Sequence, residues 1–225
     1  MNRLERIARR VVGALVVLLA ACSSAVPAPE WQSSARATLD RAVAAYLGGD
    51  TRVATAEFDL ARRALASTGR ADLVAMAELT RCAARVASLD VGPCEGFEKL
   101  RLDATPAERA YADFLANRLQ AGDVALLPEH HRPLAAGGLG GGTATSALRA
   151  IDDPLARLVA AGVLFQDGRA SPSAIELAVD TASAQGWRRP LLAWLGVQLA
   201  LAEKTGDNAG AERLRRRMAV VQDTR

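Results

Sequence analysis

Glu129, His130 and His131 stand in a row, and the two histidines are the only ones in the chain. An imidazole beside a carboxylate could hold a metal or move a proton near neutral pH. Neighbouring residues point apart in most backbone conformations, however, so adjacent imidazoles rarely share one ion. The H-E-x-x-H spacing that puts two histidines on one helix face is missing. The pair therefore reads as a solvated loop pair. Serine hydrolysis has no Gly-x-Ser-x-Gly elbow here, and no histidine outside this pair to serve it. Asp152-Asp153 stands directly before Pro154, which is the form of a helix start. Glu57, Glu95 and Glu176 would be the carboxylates of an acid–base hydrolase, and none has a motif around it. The glycine-rich run 137–142 ends Gly142-Thr143-Ala144, where a phosphate loop needs Gly-Lys-Ser/Thr, so it reads as a flexible linker. These residues supply no catalytic assignment, no metal site and no cofactor site.

One basic cluster stands out, Arg213 with Arg215, Arg216 and Arg217. At helical spacing Arg213, Arg216 and Arg217 share a face opposite Leu214 and Met218. Such a face could touch anionic lipid heads or an acidic partner. The plainer account is a solvated face near a helix C-terminus, where cations are favourable.

The N-terminus carries an address. Residues 1–10 are basic and residues 11–21, VVGALVVLLAA, are apolar. A positive segment, a short apolar segment and small residues in that order form a secretory signal peptide. Eleven apolar residues fall short of the roughly 20 needed to span a bilayer. Removing residues 1–21 takes away four arginines and one glutamate. Of 28 basic and 25 acidic residues this leaves 24 of each. A chain so balanced has no global basic field to draw it to nucleic acid.

The segment Leu19-Ala20-Ala21-Cys22 resembles the lipobox of a bacterial lipoprotein signal peptide. That resemblance implies a diacylglycerol thioether on Cys22, cleavage before it, and acylation of the new amine. Several acyl chains (palmitate among them) would anchor the protein firmly in the bilayer, since one chain alone binds marginally. The alternative is a secreted protein whose Cys22 merely lies near an ordinary cleavage site. Ser23 stands where the lipoprotein family commonly carries an aspartate for inner-membrane retention. The resemblance therefore implies the outer membrane, periplasmic face, with the inner membrane as second choice. Residues 22–30 form a short Pro-containing tether.

Export bears on the remaining cysteines, Cys82 and Cys94. The periplasm is oxidising, so this pair is expected to form a structural disulfide. Cys82 lies on a stripe with Leu79, Val86 and Leu89, and Cys94 follows the turn signal Asp90-Val91-Gly92-Pro93. Two unpaired thiols, or a redox or metal role, are the open alternatives. The twelve-residue spacing matches no C-x-x-C motif.

The elements that must position these residues read as helices throughout. Alanine and leucine dominate and aromatic residues make up only 4%, which favours helix over strand. Residues 31–47 place Trp31, Ala35, Leu39, Ala42, Val43 and Tyr46 on one face. After Gly48-Gly49-Asp50, residues Ala54, Phe58, Ala61 and Leu65 recur at helical spacing, and after Ser67–Arg70 so do Met76, Leu79, Cys82, Val86 and Leu89. Thr105-Pro106-Ala107-Glu108 has the form of a capping box with proline at the first helical position. That helix is expected to run to about Ala121. Helices resume at Pro154, at Ser171-Pro172 or Ser173, at Pro190 and after residues 205–208. The Pro190 segment is apolar nearly all round and reads as the central helix of the C-terminal half. The fold class is thus all-α, with antiparallel hairpins. Its divisions are residues 1–21, 22–30, an N-terminal helical half at 31–121, a Pro/Gly-rich connection at 122–143 and a C-terminal half at 144–225.

Gly49-Asp50, Ala54, Phe58 and Ala61 resemble the turn and second helix of a tetratricopeptide repeat. Gly206-Asp207 with Ala211 repeats the start of that pattern, and Gly122-Asp123 only the turn. The turns lie 73 and 84 residues apart rather than at multiples of 34, so an irregular α-bundle stands beside the repeat array. Arrays of this kind offer concave surfaces to peptides. The expectation is a membrane-anchored, non-enzymatic scaffold that binds another envelope protein and no nucleic acid. The alternatives are an envelope enzyme acting on cell-wall material through carboxylates, and a binder of a small or lipidic ligand between the helical halves.

Overall fold

Short-range signals shape the helices. The computed structural model describes residues 30–137 and 141–223. The segment 1–21 expected to be a signal peptide, Cys22 and nearly all of the expected tether lie outside these, as do residues 138–140. Helix α1 spans Glu30–Gly48, α2 Thr51–Ala66 and α3 Ala71–Ala87. Gly49, at φ +92°, turns the chain between α1 and α2, a conformation that costs glycine little. The Asp50 carboxylate then accepts from the Val53 N–H at 2.9 Å and caps α2. A one-turn helix α4, Glu95–Glu98, precedes α5, Pro106–Leu115. The Thr105–Glu108 capping box is present in both directions. Helix α5 ends at Leu115, about a turn and a half before the expected stop. Asn117 there takes a positive φ of 52°, which a helix interior does not allow.

The connecting stretch is not featureless. It holds two tight turns of 3₁₀ type, Ala121–Leu126 and Glu129–His131, and one turn of α-helix, α6, Arg132–Ala135. A further helix, α7, Gly141–Arg149, begins within the glycine run, where the sequence shows no start signal. Tertiary contacts hold it: Ala144, Thr145 and Leu148 are buried, and the Thr145 hydroxyl meets those of Ser171 and Ser173 at 3.1 and 3.0 Å. The remaining helices are α8 Pro154–Gln166, α9 Pro172–Ala184, α10 Arg188–Thr205 and α11 Asn208–Asp223. Asp153 and Ser171 cap α8 and α9 as the sequence predicts. Among the described residues there is no strand, and the protein is all-α.

Residues 34–225 gather into one unit, built around α3 and α8. Helix α3 packs against α2, α4, α5 and α8, and α8 also against α7 and α9. Small residues on several faces of α3 (Ala75, Ala77, Ala83, Ala84 and Ala87, all buried) let neighbours approach from several sides. Gly162 of α8 sits directly on the backbone carbonyl of Val86, and any Cβ there would collide with it. The C-terminal helices continue as hairpins, α9 on α10 and α10 on α11. Helix α10 buries only its first turns, with Pro190, Leu191, Trp194 and Leu195. Its C-terminal half is partly exposed, because α9 and α11 flank it and among the described residues no further layer covers it. Among the described residues no helix is long and apolar enough to cross a membrane.

Cys82 and Cys94 form a disulfide with Cα atoms 5.9 Å apart, tying α3 to the start of α4. Closing so short a loop restricts mainly the unfolded chain and stabilises by about 3 kcal/mol. The double replacement Cys82→Ala, Cys94→Ala should lower the melting temperature by roughly 6–12 °C for a domain of this size. Scanning calorimetry of the oxidised chain against this variant checks it.

Candidate functional site

Three helices meet around a groove. Leu39, Ala42, Val43 and Tyr46 of α1 face Ala54, Thr55 and Phe58 of α2, and Arg81, Ala84 and Arg85 of α3 close the floor. Asp90, just after α3, and Arg189, from the first turn of α10, complete a cavity of about 300 Å³. The apolar positions come from the amphipathic stripes of α1 and α2. The charges are delivered by residues far apart in sequence.

Each charged group has a defined setting. Arg85 grips Asp90 with both ends of its guanidinium, Nε to Oδ2 at 3.0 Å and Nη2 to Oδ1 at 3.2 Å. The Tyr46 hydroxyl also donates to Asp90, at 3.0 Å. The Arg85 hydrogen bonds hold the Asp90 carboxyl below its ordinary range. Burial, with the Asp90 charge next, pushes the Tyr46 hydroxyl up to about 12, so it remains a donor at neutral pH. Arg189 uses its hydrogen bonds on neutral acceptors, the Tyr46 carbonyl and the Thr51 hydroxyl, both at 2.7 Å. Its guanidinium lies 4.2 Å from the centre of the Tyr46 ring. Arg81 is exposed and sits 4.7 Å over the Phe58 ring. Stacking on aromatic faces is worth about 0.5–1 kcal/mol at exposed sites. It holds both guanidinium planes in place, and of the two Arg81 keeps its donor edge available. Three arginines thus line the groove against one aspartate, and that aspartate is committed to Arg85.

A second cleft lies between α3, α5, the 126–131 turns and the start of α8. Its walls include Met76, Leu79, Leu127, Leu155 and Val159, with a volume of about 520 Å³. His131 lines it and is only 1% exposed, which corrects the reading of both histidines as solvated. Leu127, His131 and Leu134, spaced four and three apart, are all buried. That stripe was visible in the sequence, but the prolines around it masked its helical period. The imidazole stacks against Tyr111 and Phe114, with ring centres 5.9 and 4.8 Å away. Its Nδ1 is buried with no hydrogen-bond partner among the described residues. Burial, with the neighbouring His130 second, pushes its pKa down to about 3. His130 itself is exposed.

The other sequence candidates are dispersed. Glu57 pairs with Arg41 at 3.0 Å, and Glu95 and Glu176 are exposed. The buried carboxylate is one the sequence reading passed over, Glu78 of α3, 5% exposed. It accepts from Arg62 Nε at 2.9 Å, and Gly96 leaves it room, since a Cβ there would overlap the carboxylate. Its signal was Arg62, one hairpin earlier in the chain. Arg213, Arg216 and Arg217 are exposed on α11. Arg213 and Arg217 line an open cleft with Glu176, and Arg217 reaches the Ser183 hydroxyl at 3.3 Å. Cys22 lies outside the described residues. Among the described residues, no three His, Cys, Asp or Glu side chains gather closely enough to hold a metal ion. No protein-family profile, curated protein or solved structure matches this chain.

Proposed function

We propose that the protein is a lipid-anchored envelope lipoprotein that acts as a non-enzymatic docking module, its α1–α3 groove receiving an acidic segment of a partner. The lipobox-like Leu19-Ala20-Ala21-Cys22 supplies the anchor in this reading, and the tetratricopeptide-like stacking of hairpins supplies the concave surface. The observation that carries it is the groove's charge: Arg81 and Arg189 are held over aromatic rings, and the single aspartate beside them is already engaged by Arg85. Arg81, positioned in this way, recognises a carboxylate in a bidentate fashion with little further loss of side-chain freedom, and Arg189, whose Nε and Nη2 are already bonded, adds its charge.

The test places a photo-crosslinking residue at Thr55, on the groove wall, in the full-length chain in living cells. One partner should crosslink repeatedly. Arg81→Glu should lower the yield about tenfold at an unchanged protein level, as expected when an attractive charge contact of 1–2 kcal/mol becomes repulsive. Cys22→Ser should shift the protein out of the membrane fraction. An Arg81→Glu yield equal to that of the parent chain, or no crosslink from Thr55, would sink the docking reading. Membrane retention of Cys22→Ser would sink the anchor.

A further inference from the structure

The cleft above His131 is built differently from the arginine groove. Its walls are aliphatic: Met76 and Leu79 of α3, Leu126 and Leu127 of the connecting turns, Leu155 and Val159 of α8. Met76 and Leu126 are also markedly exposed, at 46% and 40%, although both come from helical or turn segments that could have presented polar residues there. The volume, about 520 Å³, falls within the roughly 300–1,000 Å³ of small-molecule sites.

Two polar side chains line this cleft without a hydrogen-bond partner among the described residues, His131, which is buried, and Tyr111, which is half-buried. His131 Nδ1 has none, and leaving a buried polar atom unpaired costs about 1–3 kcal/mol. The Tyr111 hydroxyl also makes no hydrogen bond among the described residues. Burial raises its pKa well above the ordinary tyrosine value. Tyrosine and imidazole therefore both stay neutral across the physiological range, so they bring no charge to the cleft. The charged residues lining the cleft are Glu108 and Asp153. Both are occupied in capping, Glu108 with the Thr105 N–H at 2.7 Å and Asp153 with the Ala156 N–H at 2.6 Å. No arginine or lysine lines the cleft. An anionic head would thus meet two carboxylates and no cation.

From this combination we infer that the cleft between α3, α5 and α8 binds an uncharged amphiphile, an alkyl or acyl chain ending in a hydroxyl-bearing head, with the Tyr111 hydroxyl as its hydrogen-bonding partner and the neutral His131 ring packed behind it. The chain lies along the aliphatic walls, where burial is favourable at about 25 cal/mol per Å². The head exchanges a hydrogen bond with the Tyr111 hydroxyl. This site is separate from the arginine groove, and each can fail without the other.

Titration calorimetry with monomyristoylglycerol and with myristate tests it. The protein is the full chain carrying Cys22→Ser, purified without detergent. Monomyristoylglycerol should bind at least tenfold more tightly than myristate at pH 7.5. Tyr111→Phe, which removes one oxygen and keeps the ring, should weaken it about tenfold, the value of one lost hydrogen bond to a ligand. Ala156→Phe, which fills the cleft from its α8 wall, should abolish it. Circular dichroism and melting of each variant report whether the fold survives, and Tyr111→Phe carries the test should Ala156→Phe misfold. Tighter or equal binding of myristate, no binding of either probe, or binding indifferent to both folded variants would each overturn the proposal. The crosslinking yield at Thr55 should be the same in Tyr111→Phe as in the parent chain.

Discussion

Trp194→Ala should destabilise the fold by about 4–6 kcal/mol. Two terms make up this loss. Trp194 is fully buried at the point where α10 meets α3 and α8, and its ring stands edge-on to Phe165 with centres 5.8 Å apart. Truncating a buried tryptophan costs about 3–5 kcal/mol, from lost transfer energy and the cavity left behind. The indole Nε1–H also donates to the Ala87 carbonyl at 3.1 Å. Ala87 is the last residue of α3, so its carbonyl has no helical partner of its own. Without the indole it is left buried and unpaired, at a further cost of about 1 kcal/mol. Urea unfolding of the variant should show a midpoint shifted far down at an unchanged slope. Trp194→Phe should recover much of the packing term and none of the hydrogen bond. A loss below about 2 kcal/mol for the alanine variant would mean that α10 does not seal the α3–α8 core in solution.

Acidification should weaken the protein well before its carboxylates titrate. His131 has a folded pKa of about 3, against about 6.5 in an unfolded chain. Between those values the unfolded state binds a proton that the folded state refuses. Stability therefore falls as pH falls through this window, by about 1.4 kcal/mol per pH unit, and is unaffected by this group above about pH 7. Between pH 7 and pH 4.5 the loss should reach roughly 2–3 kcal/mol. Asp90, Glu98 and Asp113, each held below its ordinary range with arginine partners, add their own losses only below about pH 5, where the unfolded carboxylates begin to take up protons. Denaturant titrations at pH 7.5, 6.0 and 4.5 should show the decline in the parent chain and a nearly flat profile in His131→Phe. A parent chain as flat as the variant would place His131 in water.

The division between what was legible in advance and what was not follows the range of the interactions. Helix starts and stripes are written within a few residues of each other. Thr105 and Glu108 are three apart and form their box through local geometry. Ala54, Phe58, Ala61 and Leu65 recur at the helical period, and all four are buried. An all-α chain with short turns follows from such local rules. Where the helices stop, and which of them lie innermost, depend on partners elsewhere. Helix α7 starts in a glycine run because Thr145 meets Ser171 and Ser173, more than twenty residues away. Helix α3 became central because its alanines admit neighbours on several sides.

The candidate sites show the same contrast more sharply. Arg189 reaches the Tyr46 carbonyl across 143 residues of sequence, and Tyr46 reaches Asp90 across 44. Nothing in the spacing of these residues sets them apart from any other exposed arginine, tyrosine or aspartate. His131 looked like half of a solvated pair until the packing of α5 and α8 placed its ring against Tyr111 and Phe114. By itself the sequence determined the all-α class, most helix starts with their caps, and the expectation that Cys82 and Cys94 pair. Tertiary structure alone decided which side chains share a groove and which polar atom is left unpartnered. Caps and stripes are set by bonds three or four residues long, whereas a groove is set by how whole helices choose to pack.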